Sequence, residues 1–467
     1  MKASALIPVV FLIFLLKSLN AQELKMYGDI NTSSLITANH RVAFWIWANQ
    51  LGQIPQTADF IQLGEINLAP RYMFKNGNMI FAGGHLFGYT GSSGELSFSE
   101  LYAGVKLGKI TGWAGFRADS VVQSGLSSSN GNLLNSGNAK PYPRISLGTD
   151  GYIWVGKGCF QVAGRWEEGF LPDERVIDKS RLHHKNLFLR WGRAEKLQFT
   201  FGIDHYAFWG GISPESGVQP VAFSDYIRTI FALKGGENAS LPDQDNAAGN
   251  SLGQYFFVFR KDWEKMEAEA RIIHPFDDKS GMVMINGGDN LYSLFLTFKE
   301  AEIVKHALFE LIYTKNQSGD DIKPDGAYVH TNGRDDYLNH WFYRSGLTYF
   351  GRVIGSPFFC PVSYSGTGIV TGIKNTRFIA LHMAAGGQLS PRLSWKQMVS
   401  GTFNYGTYII PYGHLKKQIS SLTEMVFLPV KFPLYLKGRL AFDYGANFSE
   451  GSNEFECGFQ FVVGRKF

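Results

Sequence analysis

Cysteine is scarce in this chain, with three among 467 residues, and Cys159, Cys360 and Cys457 are too scattered for a disulfide framework. The odd count leaves at least one thiol free, and a Cys159–Cys360 bond has no support in the sequence. Charge is sparse as well: 18% of residues are charged, and the two signs nearly cancel. That balance argues against nucleic acid or a strongly anionic partner as the driving interaction. Long apolar runs are missing. The longest, Ala5 to Leu16, has twelve residues, whereas a membrane-spanning helix needs ~20. Charge or glycine interrupts every later run. Common catalytic signatures are absent too: there is no G-x-S-x-G, H-E-x-x-H, C-x-x-C or G-x-x-x-x-G-K-[ST].

What remains is a chain rich in glycine (53 residues) and aromatics (15%), with 45% hydrophobic residues and a mean hydropathy of −0.10. Such values describe strands that are apolar on one face only. The N-terminus reads as a secretory signal: Lys2 precedes the apolar stretch, and Lys17 to Ala21 forms a polar exit ending in a small residue. Cleavage after Ala21 would leave residues 22–467 as one domain, with 43 basic and 40 acidic residues. No cysteine follows the segment to carry a lipid.

The segment Glu454 to Phe467 alternates with period two. Phe455, Cys457, Phe459, Phe461 and Val463 share one face, and Glu454, Glu456, Gly458 and Gln460 share the other. Its antiparallel partner puts Leu434, Leu436, Leu440, Phe442 and Tyr444 opposite Tyr435, Lys437, Arg439 and Asp443, with a turn at Asn447 to Asn453. A soluble sandwich would pack these apolar faces on a second sheet. A secreted chain with such strands and no membrane helix points instead to a membrane-spanning β-barrel. At roughly 25 residues per strand with its connection, the domain has room for about 16 to 18 strands. A closed barrel leaves no edge to pair, so a monomer surrounded by outer-membrane lipid is expected.

The pattern recurs at Leu197, Phe199, Phe201 and Ile203, and at Tyr292, Leu294, Leu296 and Phe298 followed by Phe309, Leu311 and Tyr313. In the last of these strands Glu310 faces the lumen. Two stretches lack any strand pattern, Asp119 to Pro143 and Trp209 to Ser251, and read as long loops, which in barrels are normally extracellular and sometimes fold inward. Within the second, Tyr226, Ile227, Ile230 and Phe231 have helical spacing after Ser224 as N-cap, with Gly235 ending the helix.

Residues with chemical potential are few. Adjacent His183 and His184 point to opposite faces of a strand and cannot chelate a metal together, and no cofactor is implied. Asp335 and Asp336, near His330 and His340, could serve a surface hydrolase as acid and base, but acidic loop residues more often form solvated turns. The tryptophans Trp45, Trp47, Trp166, Trp191, Trp209, Trp341 and Trp395 suit the interfacial girdles of a barrel. Some sit among polar planar groups: Arg165-Trp166-Glu167-Glu168, Asp204-His205 ahead of Trp209, and Asn339-His340-Trp341 ahead of Tyr343-Arg344. Such groupings suit sugars, because an aromatic face covers the apolar side of a pyranose while the polar groups bond its hydroxyls. Arg165, Trp166, Trp209, Trp341, Tyr343 and Arg344 are therefore the candidate contacts.

Short motifs along the chain add a family resemblance. Phe44-Trp45-Ile46-Trp47-Ala48-Asn49-Gln50-Leu51-Gly52 is similar to the opening of Wzi-type capsule assembly proteins of gut-type Gram-negative bacteria. Ser124-Gly125 with Pro141-Tyr142-Pro143-Arg144-Ile145, the strand His183 to Arg190, Trp209-Gly210-Gly211 and Asn250-Ser251-Leu252-Gly253-Gln254-Tyr255 follow in that family's order. So do Asp335-Asp336-Tyr337-Leu338-Asn339 with Tyr343, Gly346 and Gly355-Ser356-Pro357, then Asn375 to His382 and Tyr405-Gly406-Thr407-Tyr408. The collinearity covers nearly the whole secreted chain. The resemblance implies an 18-stranded outer-membrane barrel, periplasmic helices, loops that occlude the lumen, and lectin-like, non-catalytic binding of capsular or exported polysaccharide. Two other readings stand beside it: a diffusion channel lined by Lys437, Arg439, Asp443, Glu454 and Glu456, and the surface hydrolase.

Overall fold

A computed structural model of the chain describes residues 23–156, 158–234, 249–277, 279–319, 321–322, 328–329, 335–445 and 454–467. The secretory segment, Gly235, His330 and the turn Asn447 to Asn453 lie outside the described residues.

Period-two patterning produces a closed antiparallel barrel of 18 strands. The first nine are β1 (Glu23–Thr37), β2 (Phe60–Met73), β3 (Met79–Gly91), β4 (Glu95–Leu107), β5 (Ile110–Phe116), β6 (Arg144–Thr149, resuming at Ile153–Trp154), β7 (Phe160–Phe170), β8 (Arg181–Arg193) and β9 (Leu197–Trp209). The others are β10 (Asn250–Asp262), β11 (Met266–Phe276), β12 (Asn290–Phe298), β13 (His306–Tyr313), β14 (Arg377–Ser390), β15 (Leu393–Gly406), β16 (Pro411–Phe427), β17 (Tyr435–Gly445) and β18 (Glu454–Lys466). Both pieces of β6 pair with β7, so they form one strand broken at residues 150–152. Each strand pairs with the next in sequence, and β1 closes on β18 with Thr32 opposite Val463.

The expected faces are found on the wall. On β18 Phe455 is 54% exposed and Glu456 2%, so the apolar side faces outward and the polar side faces the lumen. All three cysteines are free thiols, and Cys360 is buried. The long connections all lie at one end, which also carries the short links 92–94 and 407–410. Residues 74–78, 108–109, 194–196, 263–265 and 391–392 make short turns at the opposite end, where β1 begins and β18 ends. At the long-connection end lie the described residues of the connections that begin after Thr37, Phe116, Phe170, Trp209, Phe276 and Tyr313, the end that in outer-membrane barrels faces outward from the cell. No helix is found at the short-turn end among the described residues, so the periplasmic helices implied by the resemblance are not seen there.

Three of the long connections fold into the lumen, where polar wall groups must find partners because water is displaced. The helix α1 (Phe44–Trp47) is buried throughout. Its Phe44 N–H donates to Asp443 Oδ2 at 2.7 Å, and Trp45 Nε1 donates to Ser400 Oγ at 3.2 Å. Trp45 and Trp47 therefore belong to an internal plug and not to a girdle, whereas Trp191 and Trp395 stay on the outer wall. The loop 117–143 joins the plug: Ser127 Oγ donates to Glu310 Oε1 at 2.7 Å, and Leu126 O accepts from His382 Nε2 at 2.8 Å. The third connection interlocks with the second, Ser356 N–H donating to Leu133 O at 2.8 Å and Asn138 Nδ2 to Val353 O at 2.9 Å.

The expected helix between β9 and β10 is present as α2 (Phe223–Ile230), but Ser224 lies inside it. Ala222 occupies the N-cap position, and its N–H donates to Asp225 Oδ2 at 3.1 Å; an alanine cannot cap through its own side chain. The helix belongs to a long connection at the outward end and packs on the outer face of β8 and β9.

Candidate functional site

At the mouth of the barrel, the connection 335–376 carries three of the six sequence candidates. His340 Nδ1 accepts the N–H groups of Phe342 and Tyr343, each at 3.2 Å, and this turn projects Trp341, which is 58% exposed. Burial pushes the His340 imidazole down to about 4, which keeps the ring neutral and its acceptor available. Tyr343 turns inward, donating its hydroxyl to Gly210 O at 3.2 Å and stacking on Phe208. Arg344 faces solvent and pairs with Glu215 at 3.1 Å. An exposed pair of this kind contributes little to stability, so the guanidinium can exchange its partner for a ligand.

The same connection exposes two aromatics that the sequence reading passes over. Thr348–Tyr349 and Arg352–Val353 form a small hairpin, closed by Phe350 at φ 46° and Gly351 at φ 72°. Two left-handed residues give the tight hairpin turn that usually takes Asn-Gly. Phenylalanine there stores strain, on the order of 1–2 kcal/mol, yet its ring is 57% exposed and lies 5.4 Å from Lys140 Nζ. A Cβ on Gly351 would come within 2.7 Å of the hydroxyl of exposed Tyr364. The only sequence signal was the Phe-Gly pair, which nothing separates from an ordinary apolar run.

The remaining candidates lie elsewhere. Arg165 faces the lumen, 2.7 Å from Asp119 of the plug and 3.8 Å from Glu167. Burial opposes ionisation of Asp119, but Arg165 and Arg144 outweigh it and hold the carboxyl below its usual range. Beside this pair, His184 is held between Glu167 at 2.7 Å and Asp204 at 2.5 Å. His183 points outward to Glu168 at 2.6 Å, so the two histidines do face opposite ways. Trp166 and Trp209 are on the outer wall beneath α2. Trp166 Nε1 donates to the Tyr226 hydroxyl at 3.2 Å, and Trp209 lies 5.1 Å from the Tyr226 ring. The six candidates thus form three groups: the mouth, the lumen clamp and the outer wall.

Asp336 Oδ1 accepts from Thr376 Oγ1 at 2.7 Å and its Oδ2 from Asn339 at 3.1 Å, while Asp335 Oδ2 accepts from Ser318 Oγ at 2.8 Å. Both carboxylates are engaged in holding the loop. Among the described residues no cluster of His, Cys, Asp and Glu is arranged to hold a metal ion.

Comparison with solved structures places this architecture. The chain is similar over its whole length to Wzi of Escherichia coli, described as an outer-membrane protein involved in group 1 capsule assembly and a carbohydrate-binding β-barrel, with a TM-score of 0.56, 12% identity and 89% of that chain covered. The fold is that of an outer-membrane barrel. Two further barrels are similar, OpdQ and OprD of Pseudomonas aeruginosa, with TM-scores of 0.51 and 0.50 and 9% identity each, covering 96% of this chain in both cases and 98% and 96% of theirs. No protein-family model and no curated protein sequence matches the chain. The likeness to the Wzi barrel is one of fold, and it agrees with the 18-stranded barrel that the motif resemblance implies.

Proposed function

We propose that this protein is a non-catalytic lectin of the Gram-negative outer membrane, delivered by a cleaved signal, which holds exported capsular or exopolysaccharide at the cell surface. The observation that carries the reading is the occupied lumen: three connections are hydrogen-bonded into the interior, while Trp341, Phe350 and Tyr364 are exposed at the outward end. A wall that spends its inward polar groups on a plug has little left to line an aqueous path. Aromatic faces, with Arg344 carried on the same connection, suit pyranose rings and their hydroxyls.

Of the sequence candidates, Trp341 and Arg344 are assigned to direct sugar contact, with Phe350 and Tyr364 added to them. Tyr343 and Arg165 are assigned to holding the mouth and plug in place. Retention comes from many weak contacts, since repeating units of one polymer engage many barrels at once. The test is deletion in the native host, measuring cell-bound and released polysaccharide. Polymer made but shed into the medium supports the reading. Unchanged attachment together with a fall in small-solute uptake would favour the channel instead.

A further inference from the structure

The helix α2 lies against the outside of the barrel, where lipid would be expected, and covers a wall patch that is not apolar. Along β8 the outward residues Leu187, Leu189 and Trp191 give way toward the outer end to Lys185, His183 and Arg181. Two of these polar groups are satisfied beneath the helix. Glu168 takes His183 Nδ1 and the Tyr226 hydroxyl, and Lys185 Nζ donates to Ile230 O. Arg181 is not so placed. Its guanidinium lies 4.6 Å over the Trp209 ring and, among the described residues, has no carboxylate partner.

A cleft of about 1080 Å³ opens at this point, between α2, both ends of connection 171–180 and the outer faces of β5 to β9. Lys179, Arg181 and Trp209 line it, with Glu168 already bonded and Asp178 as the other acid. Trp209 is 7% exposed, and its Nε1 has no acceptor among the described residues. That nitrogen is sealed from the cleft, whereas the cations Arg181 and Lys179 are both exposed in it. The two cations call for an oxyanion. Around the cleft the exposed surface is apolar: Phe170, Val221, Phe223, which is 76% exposed, and beyond α2 Phe231 and Leu233. This surface continues the belt formed by Leu187 and Trp191. A soluble anion would match the donors but leave that surface in water.

We propose that the cleft holds the phosphorylated head group of an outer-leaflet glycolipid, its phosphate accepting from Arg181 and Lys179 while its acyl chains lie along Phe223 and Phe231. The barrel then presents a lipid site on its wall that is separate from the sugar contacts at its mouth. Charge-assisted bonds of guanidinium to phosphate, aided by a second cation at Lys179, supply the head-group specificity. The exposed face of α2 supplies the lipid specificity.

The full-length protein in detergent, folded as judged by its heat-modifiable mobility, would be titrated with bis-phosphorylated lipid A, dephosphorylated lipid A, inorganic phosphate and soluble capsular polysaccharide, with binding read by native mass spectrometry. The expected result is retention of bis-phosphorylated lipid A, weakened about tenfold by loss of its phosphates and by Arg181→Ala. Lys179→Glu at the exposed rim and Phe223→Ser should each weaken it as well, and both leave the Arg181–Trp209 packing intact. Equal retention of the two lipid A forms, or unchanged binding in both Arg181→Ala and Lys179→Glu, overturns the proposal. Inorganic phosphate binding as tightly as lipid A, or displacement of lipid A by the polysaccharide, would also overturn it, by making the cleft an anion site or a glycan site.

Discussion

Glu310 on the inner face of β13 accepts both the N–H and the hydroxyl of Ser128, at 2.9 and 2.6 Å, and so fastens the second plug connection to the wall. With Ser127 on its other oxygen, this carboxylate is fully satisfied by one loop. Glu310→Ala leaves three buried donors without an acceptor, each costing roughly 1–3 kcal/mol. The expected outcome is a plug that opens: purified wild type shows no steady current in planar bilayers, and Glu310→Ala shows frequent conducting events. A steady porin-like current from the wild type would count against the lectin reading.

Trp341 and Phe350 should separate binding from stability. Trp341→Ala removes an exposed ring that, among the described residues, packs on His340 and Phe342 of its own turn, so polysaccharide retention falls several-fold while the barrel melts unchanged. Phe350→Gly relieves the left-handed strain and is expected to stabilise the small hairpin by about 1 kcal/mol, seen as slower amide exchange at residues 348–353, while retention still falls. Tyr343→Ala does the reverse of Trp341→Ala, since it empties a buried site against Phe208 and costs about 3–5 kcal/mol locally, as other large aromatic truncations do.

Acid should loosen the Trp341 turn. His340 is held neutral by burial, with its pKa moved from 6.5 down to about 4, so the folded turn binds a proton less readily than the open one. Its stability is complete above pH 6.5 and declines as pH falls toward 4. Burial raises Asp336, which acts with the opposite sign and favours the folded turn in acid. Polysaccharide binding is expected to weaken across the His340 window, and His340→Asn, which keeps an acceptor but does not titrate there, should flatten the profile.

Thiol labelling tests the orientation. Cys159 lies beside the short turn between β6 and β7, and Cys457 lies on the outward face of β18. A charged maleimide should label Cys159 only when it reaches the periplasmic side. Cys457 should resist it in membranes and react once the barrel is unfolded. Labelling of Cys159 on intact cells would invert the assignment of the two ends.

The wall of the barrel is readable from local sequence because a strand's two faces meet two solvents, and every second residue records which one. That is why β17, β18 and the inward direction of Glu310 follow from alternation alone. The plug is not readable in this way. Phe44 to Trp47 have the composition of a girdle, and what places them inside is Asp443 and Ser400, hundreds of residues away. The position of α2 was equally hidden, since an amphipathic helix shows that it has a partner surface without saying which. The candidate sugar contacts were chosen by local composition, and composition cannot tell an exposed ring such as Trp341 from the buried Tyr343 two residues on. Phe350 was missed because its exposure depends on a backbone turn and not on its neighbours' polarity.

The bonds from Phe44 to Asp443 and from Trp45 to Ser400 also set an order of events during biogenesis. The connection that follows the first strand cannot reach its anchors until β15 and β17 have been laid down, and these stand near the end of the chain. A barrel interrupted before its final hairpins would therefore lack the α1 part of its plug as well as its closure. Seating of α1 thus follows the arrival of the strands that carry Ser400 and Asp443.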